Sequence, residues 1–299
     1  MPSELISIGL SAADHLWLYD EPMRGTFRPV VDYLAQGGGL AATAAVAMAR
    51  LGGSVEIWTR VGDDDAGRFI LDQFRKEGVD TSQAKVCRGG RSPVCGVMVD
   101  RPSAERYFNY FAGRGLDPSP NGLDFRRIAS AKAILVDCHW PEAQLPAARH
   151  AREHGVPVCG DVEGTHGLPV DLIRHVDYPV YSLECAQAYG QTGSVEGDLR
   201  KIAELGGKAP MITLGEQGVI WLEEGEIRRC PAFRVAVVDT TGCGDVFHGA
   251  FTFGLARGWD VGRNARFASA TAALKCRALG GRTGIPSYEE VVAFLGRQG

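Results

Sequence analysis

The sequence has no C-x-x-C pair, no strongly basic segment and no apolar run near the roughly 20 residues that cross a bilayer. Its eight cysteines, Cys87, Cys95, Cys138, Cys159, Cys185, Cys230, Cys243 and Cys276, are scattered. Several lie inside apolar stretches such as AILVDC and PVCGDV. That excludes a zinc-ribbon framework and predicts reduced, buried thiols that pack as small hydrophobes. Lys plus Arg number 32 against 36 Asp plus Glu, a formal charge of −4. A nucleic-acid or anionic-membrane binder would need the opposite balance, so neither partner is expected. No basic stretch followed by an apolar segment stands near the N-terminus, and the chain reads as cytoplasmic. Internal repeats, low-complexity tracts and long linkers are also absent, so residues 1–299 read as a single domain.

What is present is an alternation of strand and helix. The 299 residues are 45% hydrophobic and include 39 glycines, enough for a large core with many tight turns. ELISIGL (4–10), SVEIWTRVG (54–62), AKAILVDC (131–138), PVCGDV (157–162), YPVYS (178–182) and PMITLG (210–215) are short β-rich runs of the kind that fill a parallel sheet. Between them LAATAAVAMARLG, AGRFILDQFRKEG, EAQLPAARHAREHG and EGDLRKIAELGG carry helical periodicity, several closing on a glycine C-cap. The expectation is an α/β/α fold with a mostly parallel central sheet, its site at the carboxyl ends of the strands. Segments of about 14–36 and 93–112 alternate polar and apolar residues instead. They predict antiparallel strands with one wet face, meeting as a small sheet that covers the cleft like a lid.

The strongest chemical signal is VVDTTGCGDVFHGAFTFGLARG (237–258). A strand runs into Gly242-Cys243-Gly244 and then into a helix, with Asp245 in its first turn. Successive backbone N–H groups at a helix start form an anion cradle. A carboxylate beside such a cradle is placed to take a proton from a hydroxyl attacking a bound phosphoryl group.

DTTGCGDVFHGA closely resembles the C-terminal signature of the ribokinase-like (PfkB) carbohydrate kinases. GGGLAATAAVAMARLG (37–52) with RVGDDDAG (60–67) resembles the N-terminal signature. TLGEQG (213–218), RFASATAALK (266–275) and GGRTGIP (280–286) are similar to the nucleotide-site segments and closing loop, in the same order. The resemblance implies a ribokinase-like fold and ATP-dependent phosphorylation of a sugar hydroxymethyl group, with Mg²⁺ and a monovalent cation such as K⁺. It implies Asp245 as general base and the amides of Gly242, Cys243 and Gly244 as anion hole. Asp14, Gly38, Gly39, Thr43, Asn109 and His139 would hold the sugar; Thr43 stands where the family usually has Asn. Ser182, Thr213, Gly215, Gly218, Ser269 and Ala272 would line the nucleotide. The family's N-x-x-E metal motif aligns with Ser182-Leu183-Glu184-Cys185, which leaves Glu184, with Asp161 and Glu163, as metal candidates. Asp239 would help shape a carbonyl-rich monovalent-cation site.

Within the family the motifs look closest to the sulfofructose kinases, although their sulfonate-gripping arginine is His139 here and the lid lysine falls near Phe27 and Arg28. Arg106 and Arg114 are further candidates for an anionic group. Lid aromatics Trp17, Tyr19, Tyr107, Phe108 and Tyr110 suit stacking on a sugar or a homodimer through the lid sheets. Two other functions fit parts of the pattern: a nucleoside or vitamin kinase of the same fold, or a non-catalytic sugar or nucleotide sensor.

Overall fold

The computed structural model describes residues 3–20, 29–101, 106–164 and 169–298. In chain order its first half contains β1 (Leu5–Ile8), β2 (Ala12–Tyr19), β3 (Asp32–Gly38), α1 (Leu40–Arg50), β4 (Val55–Trp58) and β5 (Arg60–Gly62). There follow α2 (Asp65–Lys76), β6 (Lys85–Cys87), β7 (Val94–Asp100), β8 (Arg106–Phe111), β9 (Ala133–Val136), α3 (Pro141–Glu153) and β10 (Val158–Val162). The second half adds α4 (Val170–Ile173), β11 (Tyr178–Ser182), α5 (Leu183–Gly190), α6 (Val195–Ala203) and β12 (Met211–Thr213). It ends with β13 (Val219–Glu223), β14 (Glu226–Cys230), α7 (Cys243–Leu255), α8 (Val261–Lys275) and α9 (Tyr288–Gly296). No helix among the described residues is long and apolar enough to cross a membrane.

The main sheet has eight strands in the order β14-β13-β12-β11-β10-β9-β1-β4. Neighbours from β4 to β12 pair in parallel, and β13 and β14 close the far edge as an antiparallel hairpin. Both faces are apolar, as a buried parallel sheet demands. Leu5, Val55, Leu135 and Cys159 point into a core shared with α1, α7 and α8. Ile6, Ile8, Ile134 and Val158 point the other way, against the alanine face of α3. The period of two along β1 thus feeds both helical layers.

SVEIWTRVG, expected as one strand, divides at Thr59. β4 stays in the main sheet while β5 leaves it to pair with β6. The hairpin β13–β14 was not anticipated; Glu223 pairs with Glu226, and Glu224 and Gly225 between them have φ of 51° and 82°. Two consecutive positive φ values in a two-residue loop match the twist of the flanking strands.

The second sheet has the order β3-β2-β7-β8. It joins the two predicted segments but is mixed rather than antiparallel. β2 and β7 run parallel because each begins its own excursion in the same direction, and β3 and β8 return antiparallel to them. Leu16, Cys95, Val97 and Val99 pack its inner face with Leu34 and Leu279. His15, Trp17 and Tyr33 stack on the outer face.

Candidate active site

The carboxyl ends of β1, β9, β10, β11 and β12 open toward the start of α7, so the topology delivers loops from five strands to one rim. Gly242 is the N-cap of α7 with φ 72°, and no side chain caps this end. A Cβ at Gly242 would lie 3.0 Å from the Gly281 Cα, so close approach and positive φ both require glycine. The Cys243 amide donates to the Thr240 carbonyl at 3.2 Å and closes the turn. Among the described residues the Gly242 amide makes no backbone bond, while the Gly244 amide donates to the Cys243 sulfur. Of the three amides expected to form the anion hole, that of Cys243 tightens the turn and that of Gly244 meets the neighbouring thiol. Asp245 follows in the first helical turn, partly buried. Burial, then the Glu163, Cys243, Asp14 and Asp137 charges, pushes its carboxyl well above the ordinary range.

Asp14, on β2, is buried on the inner face of the second sheet. Its carboxyl is raised to about 6 by burial, against the pull of the Arg282 guanidinium. A Cβ on Gly38 would occupy the Asp14 carboxylate itself, so this glycine makes room for the acid. Gly39 caps α1 with φ 90°, and a Cβ there would press on the Leu10 carbonyl. Thr43 lies one layer deeper, where its hydroxyl faces the Arg282 Nε at 3.5 Å. Arg282 also donates to the Gly38 carbonyl at 3.2 Å, which ties the closing loop to the Asp14 side of the rim.

Asp137, at the end of β9, escaped sequence reasoning. It is 1% exposed. One oxygen accepts from the amides of Leu10 (2.7 Å) and Ala41 (3.0 Å), the other from the His139 amide (3.0 Å) and Gln144 Nε2 (2.8 Å). It thereby caps α1 and locks the loop after β1 to the turn after β9. That turn includes Cys138 at φ 66°, a strained value for a non-glycine residue beside a cleft. Beyond Asp137 lies a cavity of about 240 Å³ lined by Gly9, Leu10, Arg60, Pro93, Tyr110, Ala112, Leu116 and His139. Arg60 donates Nη2 to the His139 carbonyl at 3.2 Å and lies 4.9 Å from the Trp140 ring. It is the one cation lining this cavity, and it too was not singled out beforehand.

On the opposite side of the rim, Ser182 and Thr213 pair at the ends of β11 and β12. Gly215 and Gly218 follow with φ of 58° and 94°. Ser269 and Ala272 lie on α8, their small side chains leaving the helix surface flat.

Three expectations do not fit. Asn109 pairs with Gly96, which pairs with His15, and a Cβ on Gly96 would touch both Trp17 and the Asn109 Cβ. Asn109 therefore belongs to the outer face, turned away from Asp14 in its own chain, while Tyr110 takes the inner face. Asp239 is buried with both carboxylate oxygens engaged: Oδ1 by the Thr241 amide (2.9 Å) and hydroxyl (2.8 Å), Oδ2 by the Gly280 amide (2.8 Å). It organises the turn, and each of its oxygens is already engaged by the chain itself. Asp161 is also buried, with Oδ2 3.2 Å from His248 Nδ1. Burial, then the Glu163, Asp245 and Asp137 charges, raises the Asp161 carboxyl, and burial lowers His248 to about 4, so the setting disfavours the charged form of both. Glu163 and Glu184 are exposed and close enough for their charges to be felt by one another. Phe27 and Arg28 lie outside the described residues.

A family model described as the pfkB family of carbohydrate kinases matches residues 4–287. The chain is 33% identical over 285 residues to the aminoimidazole riboside kinase of Salmonella typhimurium, spanning 88% of this chain and 89% of that protein. It is 28% identical over 260 residues to the ribokinase of Bacillus subtilis, spanning 86% and 87%. A candidate ribokinase from Agrobacterium tumefaciens, solved by crystallography, superposes with a TM-score of 0.92 at 29% identity, spanning 100% of this chain and 99% of that one.

Proposed function

The chain belongs to the pfkB family of carbohydrate kinases, with a ribokinase-like fold, and on that premise we propose that it transfers the γ-phosphoryl group of ATP to a sugar hydroxymethyl group. The observation that carries this reading is the start of α7, where the glycine turn and the Asp245 carboxylate share one rim with Asp14. Asp245 takes the proton of the attacking hydroxyl as its oxygen bonds to the γ-phosphorus and the bond to the ADP oxygen breaks. The Gly242 and Gly244 amides hold the charge that builds on the transferring group. Ser182, Thr213, Gly215, Gly218, Ser269 and Ala272 suit the nucleotide, since small and glycine residues let a planar base and a phosphate chain approach the backbone. Glu163 and Glu184 would hold Mg²⁺ through water, which neutralises phosphate charge when bound.

Asp14 and the Gly38–Gly39 backbone suit vicinal hydroxyls of the acceptor, and the cavity beyond Asp137 takes its far end. Arg60 there offers guanidinium donors not spent on His139, a group that favours a carbonyl, carboxylate or other oxyanion. Arg60→Met is expected to raise the acceptor KM on the order of 10-fold or more, the worth of a charge-assisted hydrogen bond of ~1.5–3 kcal/mol. An unchanged KM would remove Arg60 from the site.

The deciding experiment is ADP release from Mg·ATP over a panel of hexoses, ketoses, sugar acids, sulfosugars, sugar phosphates and nucleosides. A hit confined to nucleosides would favour the second reading, a nucleoside kinase, to which similarity with the riboside kinase lends weight. Sugar binding without any ADP release would point to a sensor.

The outer lid face carries Tyr33, Tyr107 and Phe111, 50%, 47% and 41% exposed, around Asn109. Such a patch suits a second copy of the chain. Sedimentation equilibrium is expected to show a dimer that Tyr107→Lys weakens; a monomer at all concentrations contradicts this.

A further inference from the structure

Lys275, the last residue of α8, is 0% exposed. An ammonium is among the costliest groups to bury and persists only where it is bonded and its charge is compensated. Its Nζ donates to the Asp239 carbonyl at 2.9 Å, on the interior side of the turn that leads to Gly242. The backbone fixes the two together. The carbonyl of Cys276 accepts from the amides of Val238 (2.8 Å) and Asp239 (3.1 Å), so the end of α8 is stitched to the irregular segment that feeds the turn, where the sequence had implied a strand.

The resemblance to the carbohydrate kinases implies a monovalent cation beside Asp239, and the donor set does not fit one. The Asp239 carbonyl already receives an ammonium, and both its carboxylate oxygens receive N–H or O–H groups. A second positive charge would have to sit next to a buried one, on oxygens that each already accept an N–H or O–H group.

We infer that the Lys275 ammonium is the resident cation of the phosphate-binding turn, and that this kinase works without a monovalent metal ion. Lys275 is thus a positioning residue. It holds the Asp239 carbonyl in place from within, and its charge favours an anion at the turn. That charge is felt at the turn: the Cys243 thiol is held down to about 6 by a hydrogen bond with Cys276 and then by Lys275. Because the cation is part of the chain, no loss of potassium can empty the site.

The inference rests on the kinase reading for its functional consequence, and its test separates the two. The full chain is exchanged into choline chloride, and its melting temperature and ADP release from Mg·ATP are compared in KCl, NaCl and choline chloride at equal ionic strength. The wild-type protein is expected to show the same melting temperature and the same rate in all three salts. Lys275→Met is expected to melt lower and turn over at least ~10-fold more slowly, the lower range for losing a group that organises charge at the site. KCl, and not choline chloride, should restore a measurable part of both losses. A several-fold stimulation of the wild type by K⁺, or a K⁺-specific rise in its melting temperature, would overturn the inference. So would a folded Lys275→Met protein indifferent to K⁺, since that lysine would be structural alone. Should the variant not fold, the wild-type salt comparison still decides. Absence of ADP release in every salt counts against the kinase reading, while the melting comparison still reads the cation site.

Discussion

Asp245→Asn should lose at least ~10²-fold in turnover, the scale expected for removing a general base, while sugar and nucleotide still bind. The two side chains have nearly the same shape, so the α7 start and its amides persist. Turnover by ADP release and affinity by calorimetry separate the effects; full turnover in the variant would end the assignment. The same substitution should raise the melting temperature. The sign follows from the direction of the shift. An acid whose pKa is raised by folding costs nothing below its unfolded pKa, where it is protonated in both states, and costs most above its folded pKa. Asp245 is raised by burial and by neighbouring Glu163, Cys243, Asp14 and Asp137, so at neutral pH its charge opposes folding. Asp14 behaves alike: its penalty grows from the ordinary carboxylate value of 3.8 toward about 6 and is complete above that. Activity should show the opposite trend. It should fall as pH drops through about 6, because Asp14 then protonates and loses an acceptor for sugar hydroxyls; the raised Asp245 carboxyl acts in the same direction, since its protonated form cannot take a proton. The site is active where it is least stabilising.

The largest stability loss should come from Asp137→Ala. That change strands the Ala41 amide and the half-buried Leu10 amide, along with buried Gln144 Nε2, which keeps its bond to the Ile8 carbonyl at 2.7 Å; the amide of exposed His139 also loses its acceptor but can turn to water. Each stranded donor costs about 1–3 kcal/mol, so the variant should be less stable by at least ~3 kcal/mol. The urea midpoint reports this directly, with an unchanged slope if the unfolding transition stays two-state. The acceptor KM should also rise, because Gly9, Leu10 and His139, which line the cavity, lose their common anchor. A variant within 1 kcal/mol of wild type by the standard of ordinary surface changes would show that water replaces the carboxylate without cost.

Much of this was legible in the chain itself. Short apolar runs separated by amphipathic helices implied the parallel sheet, and the glycine turn before Asp245 implied the anion cradle. Both are local: they depend on φ and on side-chain spacing within a few residues. Asp14, Gly38 and Gly39 came from the resemblance, and the structure brings them together. The hairpin β13–β14 was also readable, since Glu224-Gly225 divides two alternating runs. It was missed because the helix–strand alternation around it dominated the reading.

What the chain could not reveal are relations between distant segments. Asp137 joins residues 96 and 127 positions away, and Lys275 meets a carbonyl 36 positions back. Neither partnership leaves a pattern in its own neighbourhood, where Asp137 reads as a strand end and Lys275 as a helix end. Asn109 shows the same limit within one strand. A period of two says that Asn109 and Tyr110 face opposite ways, but not which of them faces the pocket. That phase is set by how β8 registers on β7 and β7 on β2, which the tertiary structure alone decides. By itself, the sequence determined the layered fold and the glycine turn before Asp245, because backbone preferences act over one or two turns of chain. Only packing decided which buried charges those elements bring together, because burying them is favourable only once all their partners are in place.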